Sequence, residues 1–168
     1  MPTLAEHACL ALVDQGVDHG WAIGGLLAPD GELGRVWSLS RPLTYRAIDA
    51  LVEAGLLRRG PPKPGRGRAR SPLRLTRQGR AELAVWIDAP VDHIRDVRTE
   101  LLLKLLLRER SGLDARALAI AQRDHLSATF AVHAAADDDG DIVSLWRREN
   151  TAGVRRFLDA MAGRSVRR

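Results

Sequence analysis

The chain has 168 residues, 45% of them hydrophobic and 28% charged, which is an ordinary globular composition with enough length to bury a core. A single cysteine, Cys9, excludes an internal disulfide and suits a reducing compartment, where it is expected to be an inert core thiol. No apolar run approaches the roughly 20 residues of a membrane span, and the first residues lack the basic-then-apolar order of a signal peptide. We therefore expect a cytoplasmic protein without a membrane partner.

The net charge of +5 is concentrated in one segment. Residues 58–80 hold nine Lys or Arg and no Asp or Glu, whereas residues 81–168 carry equal numbers of both signs. Such a local excess favours a polyanionic partner, above all duplex nucleic acid. Because the segment is also rich in Pro and Gly, a solvated, flexible loop is the alternative. Aromatic residues make up 4% of the chain, which argues against a base-stacking platform for single strands.

Two short helices are predicted at the start of the chain. The first covers residues 3–16, where apolar residues recur on one face and Gly16 provides a stop. The second covers residues 19–28, with Asp18 as its N-cap. After a loop, residues 36–39 are a candidate edge strand.

A third helix is predicted from the N-cap Ser40 to Gly55. Its buried face is predicted to contain Leu43, Ala47, Leu51 and Ala54. The opposite face is predicted to present Arg41, Tyr45, Arg46 and Asp49, with Thr44 at the margin. Arginine can bond guanine edges, and hydroxyls and helix N-termini bond phosphates, so this face suits a major groove. The alternative is a face that only keeps the helix soluble.

Two strands are predicted at 56–59 and 71–75, and the Pro and Gly residues between them are typical of an exposed hairpin tip. Three helices followed by a basic hairpin are the plan of a winged helix-turn-helix, with the hairpin as the wing. The predicted DNA contacts on the third helix are Ser40, Arg41, Thr44, Tyr45 and Arg46. Those on the wing are Arg66, Arg68, Arg70 and Arg74.

The rest of the chain is predicted to be helical. A fourth helix is expected over 76–89, with Trp86 on its buried face. The leucine-rich run 101–107 is predicted to form a helix buried from several sides, with Glu100 and Lys104 as an i,i+4 pair on its wet edge. The fold class is thus mainly α with a small β-hairpin.

Two further amphipathic helices are expected over 114–136 and 142–162, the second capped by the acidic run before it. Because a complete winged domain over 1–90 offers them few partners, we expect residues 91–168 to form a helical dimerisation region. The residues predicted at the homodimer interface are Leu102, Leu106, Leu126, Phe130, Leu145, Trp146 and Phe157.

The ordered motifs resemble those of the PadR family of bacterial transcriptional regulators. The matching runs are His19-Gly20-Trp21, then Ser40–Ile48 and Leu51–Leu56 in the third helix, and Leu75–Gly79 after the wing. Pro42-Leu43-Thr44 stands where the family usually has Gly-Thr-Leu. The resemblance implies DNA contacts by Ser40 and Tyr45 and a dimer interface in the last helices. It also implies small aromatic or drug-like effectors near Trp86 and Trp146, although the helical spacing of both tryptophans favours core packing.

Patterns of catalytic or metal-binding chemistry are not found in the sequence. The acidic run 137–141 lacks the spacing of an EF-hand, the five histidines are scattered, and the glycines of the wing do not form a phosphate loop. No enzyme activity, cofactor or metal is therefore expected. The predicted function is a sequence-specific repressor that binds an inverted-repeat operator as a homodimer. The alternative is a winged-helix protein-interaction module that does not bind DNA.

Overall fold

The computed structural model describes residues 1–61, 71–135 and 141–164 of the chain. These residues are mainly helical and contain one two-stranded antiparallel sheet, which confirms the predicted fold class. The chain divides into two compact units, called here unit 1 (residues 1–88) and unit 2 (residues 89–168).

Unit 1 has the element order of a winged helix-turn-helix. Its elements are α1 (Leu4–Asp14), α2 (Gly20–Leu26), α3 (Arg41–Glu53), β1 (Leu57–Arg59), β2 (Leu73–Leu75) and α4 (Arg77–Asp88). Helix α1 is central: its residues 7–13 are all buried, and it packs against α2, α3, α4 and β2. A capping box at Thr3 begins this helix, with the Glu6 carboxylate accepting from the Thr3 amide at 2.7 Å.

The start of α2 differs from the prediction. The N-cap is His19 rather than Asp18, and the His19 Nδ1 accepts from the amide of Ala22 at 3.1 Å. The backbone carbonyl of Asp18 instead accepts from the amide of Leu73 at 2.7 Å, which attaches the hairpin to the turn before α2. An imidazole nitrogen can accept as a carboxylate does, and the usual ranking of N-cap residues does not anticipate it.

The edge strand predicted over residues 36–39 is wrong. This segment forms a turn and an irregular stretch that leads into α3. The amide of Leu39 donates to the carbonyl of Leu27 at 2.8 Å, and the Leu39 side chain is buried. The backbone of this segment thus packs on the end of α2.

All regular elements among the described residues of unit 2 are helices. Its elements are α5 (Ile94–Asp96), a π-helical turn (Val97–Leu101), α6 (Leu102–Arg110), α7 (Ala115–His125), α8 (Ser127–Ala135) and α9 (Ile142–Ala162). Asp141 caps α9 by accepting from the amides of Val143 and Ser144. The core of this unit includes Leu101, Leu105, Leu118, Leu126, Phe130 and Leu158.

The helix predicted over 114–136 is two helices, α7 and α8, separated at Leu126. Leu126 ends α7, and its own side chain is buried in the core. No Gly or Pro marks this position, so the sequence carries no local signal of the break.

Lys104 is buried rather than on a wet edge, which corrects the prediction. Its side chain is about 2% exposed, and its Nζ lies 2.7 Å from a carboxylate oxygen of Glu100. The same Nζ donates to the carbonyl of Ala89 at 2.9 Å. The ammonium group is thus paired and hydrogen-bonded, the condition under which a charge is tolerated inside a protein.

Candidate nucleic-acid interface

Helix α3 has a sharply divided surface, but its buried stripe is shifted from the predicted one. Thr44 is fully buried, and the stripe continues through Ala47, Ile48 and Leu51 at helical spacing. Leu43 and Ala54 are exposed.

Thr44 and Leu43 therefore exchange the roles predicted for them. The Thr44 hydroxyl donates to the carbonyl of Ser40 at 3.1 Å, so its polar group is satisfied inside the fold. The prediction that Thr44 contacts DNA is wrong for this structure. Leu43, with 46% of its surface exposed, occupies the accessible position instead.

The first turn of α3 leaves polar groups open. Ser40 occupies the N-cap position and is exposed, but its side chain makes no capping hydrogen bond. Pro42 follows in the first turn, where the missing amide hydrogen costs nothing. The Ser40 hydroxyl and the amide ends of the first turn can therefore bond an external acceptor such as a phosphate oxygen.

Three side chains predicted as DNA contacts are exposed on α3: Arg41, Tyr45 and Arg46. The guanidinium carbon of Arg41 lies 3.5 Å from the ring centroid of Trp21 on α2, a cation–π arrangement. Within the part of the chain that the structure describes, no carboxylate forms an ion pair with Arg41 or Arg46. Both cations are therefore available to an outside anion.

The hairpin places two arginines opposite each other. In the antiparallel pairing Arg58 faces Arg74, and both side chains are exposed. Like charges directly opposite in a ladder destabilise it, and among the described residues neither arginine has an ion-pair partner. Arg74 belongs to the predicted contacts. Arg58 was missed, because the strand register that makes it Arg74's neighbour is not visible in the sequence.

A second contact missed by sequence reasoning joins the hairpin to α3. A guanidinium nitrogen of Arg59 on β1 donates to a carboxylate oxygen of Asp49 on α3. Asp49, predicted on the exposed face, is thus neutralised from within the fold and adds less repulsion towards an anion. The remaining predicted wing contacts, Arg66, Arg68 and Arg70, lie outside the described residues.

Trp86 is a core residue rather than an exposed ring. It is buried and stacked on His7, with ring centroids 4.6 Å apart and planes 8° apart. His7 in turn lies 3.1 Å from a carboxylate oxygen of Glu82. Trp86 is thus packed in the core, as its helical spacing predicts, and offers little surface to the effector that the family resemblance implies. Burial also raises the pKa of Cys9 to about 12, in agreement with an inert thiol.

The predicted interface residues of unit 2 fall into three groups. Leu126 and Phe130 are buried in the core of this unit, so the expectation that they need a second subunit is wrong. Leu102, Leu106 and Phe157 are half-buried. The exposed residues of the set are Leu145 and Trp146 on the first part of α9.

The first part of α9 exposes four apolar side chains, of which the sequence analysis predicted two as interface residues. Ile142, Leu145 and Trp146 follow the i, i+3, i+4 spacing of one helix face, and they are 78%, 45% and 67% exposed. Val143 on the same turn is exposed as well. We call these four residues the α9 apolar face.

Two findings concern other classes of site. The described residues contain no group of three or more His, Cys, Asp or Glu placed to hold a metal ion. No helix within the described ranges is both long enough and apolar enough to cross a membrane.

Comparison with known proteins finds similarity in structure rather than in sequence. No protein-family model and no curated protein matches the sequence. Among solved structures the chain is similar to Bacillus subtilis PadR in complex with operator DNA, with 20% identity and a TM-score of 0.48, over 94% of this chain and 97% of that one. At this identity and score the likeness concerns the general course of the chain, and the interface described above depends on this chain's own residues.

Proposed function

We propose that this protein is a sequence-specific DNA-binding repressor that acts as a homodimer on an inverted-repeat operator. The observation that carries the proposal is the opposed pair Arg58 and Arg74 in a hairpin whose first strand packs against α3. Two guanidinium groups side by side are unfavourable in the free protein. A phosphate between them converts this repulsion into two charge-assisted hydrogen bonds.

Helix α3 supplies the sequence-reading part of the proposal. Arg46 can bond the O6 and N7 of guanine, and the exposed Leu43 can contact the methyl group of thymine. Ser40 and Tyr45 provide hydroxyls for the backbone on either side. The hairpin then contributes affinity for any duplex, and α3 contributes the preference for one sequence.

The contribution of the hairpin is tested by salt titration of binding to fluorescent duplexes. Replacing Arg58 and Arg74 together by Ala should weaken binding to all sequences and flatten the slope of log affinity against log salt by about 0.9 for each phosphate that the protein no longer neutralises. Arg155→Ala combined with Arg156→Ala on α9, which removes two exposed arginines from unit 2, is the charge-matched control and should leave the slope unchanged. An unchanged slope in the double variant would contradict the proposed role of the hairpin.

The wing tip is proposed to act in the same way on the basis of sequence. Replacing Arg66, Arg68 and Arg70 by Ala should also lower affinity for every duplex and flatten the salt slope. Arg46→Ala should instead reduce the difference in binding free energy between operator and random DNA by about 1–3 kcal/mol. Equal losses on both DNAs for all of these variants would oppose this division between affinity and specificity.

The α9 apolar face supports the homodimer. Burying a large apolar side chain stabilises an assembly by roughly 1.5–3 kcal/mol, so four exposed ones on two successive turns favour a partner. A second copy related by a two-fold axis covers both faces at once. It also sets two α3 helices on one duplex, with half-sites about 10 bp apart or a multiple of that.

Light scattering at micromolar protein tests the dimer. Leu145→Asp combined with Trp146→Asp should give a folded monomer whose operator affinity falls by orders of magnitude, because the second half-site no longer binds at high effective concentration. Val85→Asp, which places a charge at a 72% exposed apolar position on α4, should remain dimeric. A wild-type protein that is monomeric would contradict the proposal.

A small aromatic effector is proposed to bind at Trp146. The ring borders a cavity of about 290 Å³ that is also lined by Arg95, His133 and Arg147, groups suited to a carboxylate on an aromatic ring. Titration of tryptophan fluorescence with phenolic acids and planar drugs should quench Trp146 and release DNA. Trp146→Phe is the control, and an equal response in that variant would oppose binding at Trp146.

A further inference from the structure

Two side chains of α3 pack closely against the backbone of α2. A Cβ added at Gly20 would lie 2.7 Å from a ring carbon of Tyr45. One added at Gly24 would lie 3.3 Å from the Cγ of Arg41. The two glycines, one helical turn apart, let the Tyr45 ring and the Arg41 stem lie directly against the backbone of α2. The backbone of α2 therefore restricts the positions of both side chains on one side.

Trp21 fixes the end of Arg41. Its ring is 57% exposed, yet it is stacked by the Arg41 guanidinium with 3.5 Å between the guanidinium carbon and the ring centroid. Stacking uses the face of the guanidinium and leaves the N–H groups at its edge free to donate. An exposed cation–π contact contributes only about 0.5–1 kcal/mol, so stability alone gives little reason for an exposed tryptophan here.

The position of Arg41 on α3 suggests a role for its contact with Trp21. Arg41 is the first residue of the helix, and the N-terminal residues of a recognition helix are those that reach base edges. A phosphate can be bound by a freely moving cation, whereas bidentate bonding to guanine requires one orientation of the guanidinium plane. A guanidinium oriented before binding also loses less conformational freedom when the complex forms.

We infer that Trp21 is a positioning residue that orients the Arg41 guanidinium for guanine, so that a residue of α2 sets part of the sequence preference of α3. This inference rests on the proposed DNA-binding function. The bond to DNA is made by Arg41, and Trp21 acts through it.

The test is a double-mutant cycle on selectivity, the ratio of the dissociation constants for random and operator duplexes. Trp21→Ala should reduce this ratio by about 5- to 150-fold, the range for one bidentate base contact. Trp21→Ala added to Arg41→Ala should change it by less than about 2-fold, because the group it orients is already gone. Trp21→Phe should retain most of the selectivity, and Arg41→Lys, which keeps the charge but loses the planar fork, should not.

Two matched measurements separate positioning from a general structural effect. In an Arg46→Ala background, Trp21→Ala should reduce selectivity by the same factor as in the wild-type protein, because Trp21 does not act through Arg46 in the proposed mechanism. The salt slope should stay the same in Trp21→Ala, since no phosphate contact is removed.

The possible results distinguish a failure of the role assigned to Trp21 from a failure of the proposed DNA-binding function. If the wild-type protein is selective and the losses from Trp21→Ala and Arg41→Ala simply add, Trp21 does not act through Arg41 and this inference alone fails. It also fails if Trp21→Ala leaves selectivity unchanged. If the wild-type protein prefers no duplex over another, the proposed function fails, and the inference that rests on it fails with it.

Discussion

The two units use their positive charges differently. In unit 2, Lys104 is buried with a carboxylate and a carbonyl as partners, and the Nε of Arg108, also buried, donates to the carbonyl of Asp114 at 3.0 Å. In unit 1, Arg46, Arg58 and Arg74 are exposed, and no carboxylate among the described residues pairs with them. The two buried cations of unit 2 therefore contribute to its folded structure, whereas these three arginines of unit 1 are accessible to an outside anion.

This difference has an energetic consequence. Removing one member of a buried pair strands its partner, while removing an exposed cation leaves the fold almost unchanged. Substitutions in unit 2 are therefore expected to affect stability, and substitutions on the open surface of unit 1 to affect binding.

The largest expected effect is at Lys104. Lys104→Ala opens a cavity and removes the buried ammonium group that bonds Glu100 and the carbonyl of Ala89, and it should lower the free energy of unfolding of unit 2 by about 3 kcal/mol. Arg46→Ala is the control from unit 1 and should change it by less than about 0.5 kcal/mol. Urea denaturation followed by circular dichroism measures both. Equal effects of the two substitutions would remove the contrast between the units.

The next effect concerns the support beneath the exposed side chains of α3. Gly20→Ala brings a methyl group against Tyr45 and should destabilise unit 1 by about 1–3 kcal/mol. Gly25→Ala on the same helix meets nothing within 4 Å and should stabilise it by about 0.4–1 kcal/mol. Thermal unfolding of the two variants compares them directly. A stabilised Gly20→Ala variant would show that the Tyr45 ring moves aside at little cost and is not held in place by α2.

At the hairpin we expect a smaller effect, in which stability rises while DNA affinity falls. Arg74→Thr removes the like-charge pair with Arg58 and should raise stability by about 0.2–1 kcal/mol while DNA affinity falls. Arg77→Thr, at an exposed arginine of α4, serves as the control for removal of one charge. If Arg74→Thr lowers both stability and affinity, the two arginines are not in repulsion in the free protein.

The smallest effect near neutral pH is expected at Cys9. Burial raises the pKa of its thiol from 9.0 to about 12, so a disulfide reagent at pH 8 should not modify the folded protein and should react once urea unfolds it. Because the folded thiol holds its proton more tightly than the unfolded one, stability should be unaffected below pH 9 and fall as the pH rises towards 12. Rapid labelling of the folded protein would contradict the burial of this thiol.

How much of the fold is predictable depends on whether the signal is local. The capped start of α9 could be predicted, because Asp141 stands directly before a periodic apolar run, whereas Thr3 was placed inside the first helix and is its N-cap. The burial of Thr44 could not, because its neighbour Leu43 fits the same face by hydrophobicity and only the packing of α3 decides between them.

The candidate interface divides in the same way. The exposure of Arg41, Tyr45 and Arg46 follows from helical periodicity and was predicted. The pairing of Arg58 with Arg74 and of Arg59 with Asp49 depends on strand register and on the contact between β1 and α3. Leu126 and Phe130 were assigned to a dimer interface because sequence alone does not show that α7, α8 and α9 bury these residues in one chain.

The proposed function requires unit 1 to bind duplex DNA with a preference for one sequence. The most direct measurement is selection of bound duplexes from a randomised library, followed by anisotropy titration of the enriched and a scrambled duplex at one salt concentration. We expect an enriched inverted repeat that binds at least about 10³-fold more tightly than the scrambled duplex. No enriched sequence, or equal affinity for both duplexes, would contradict it.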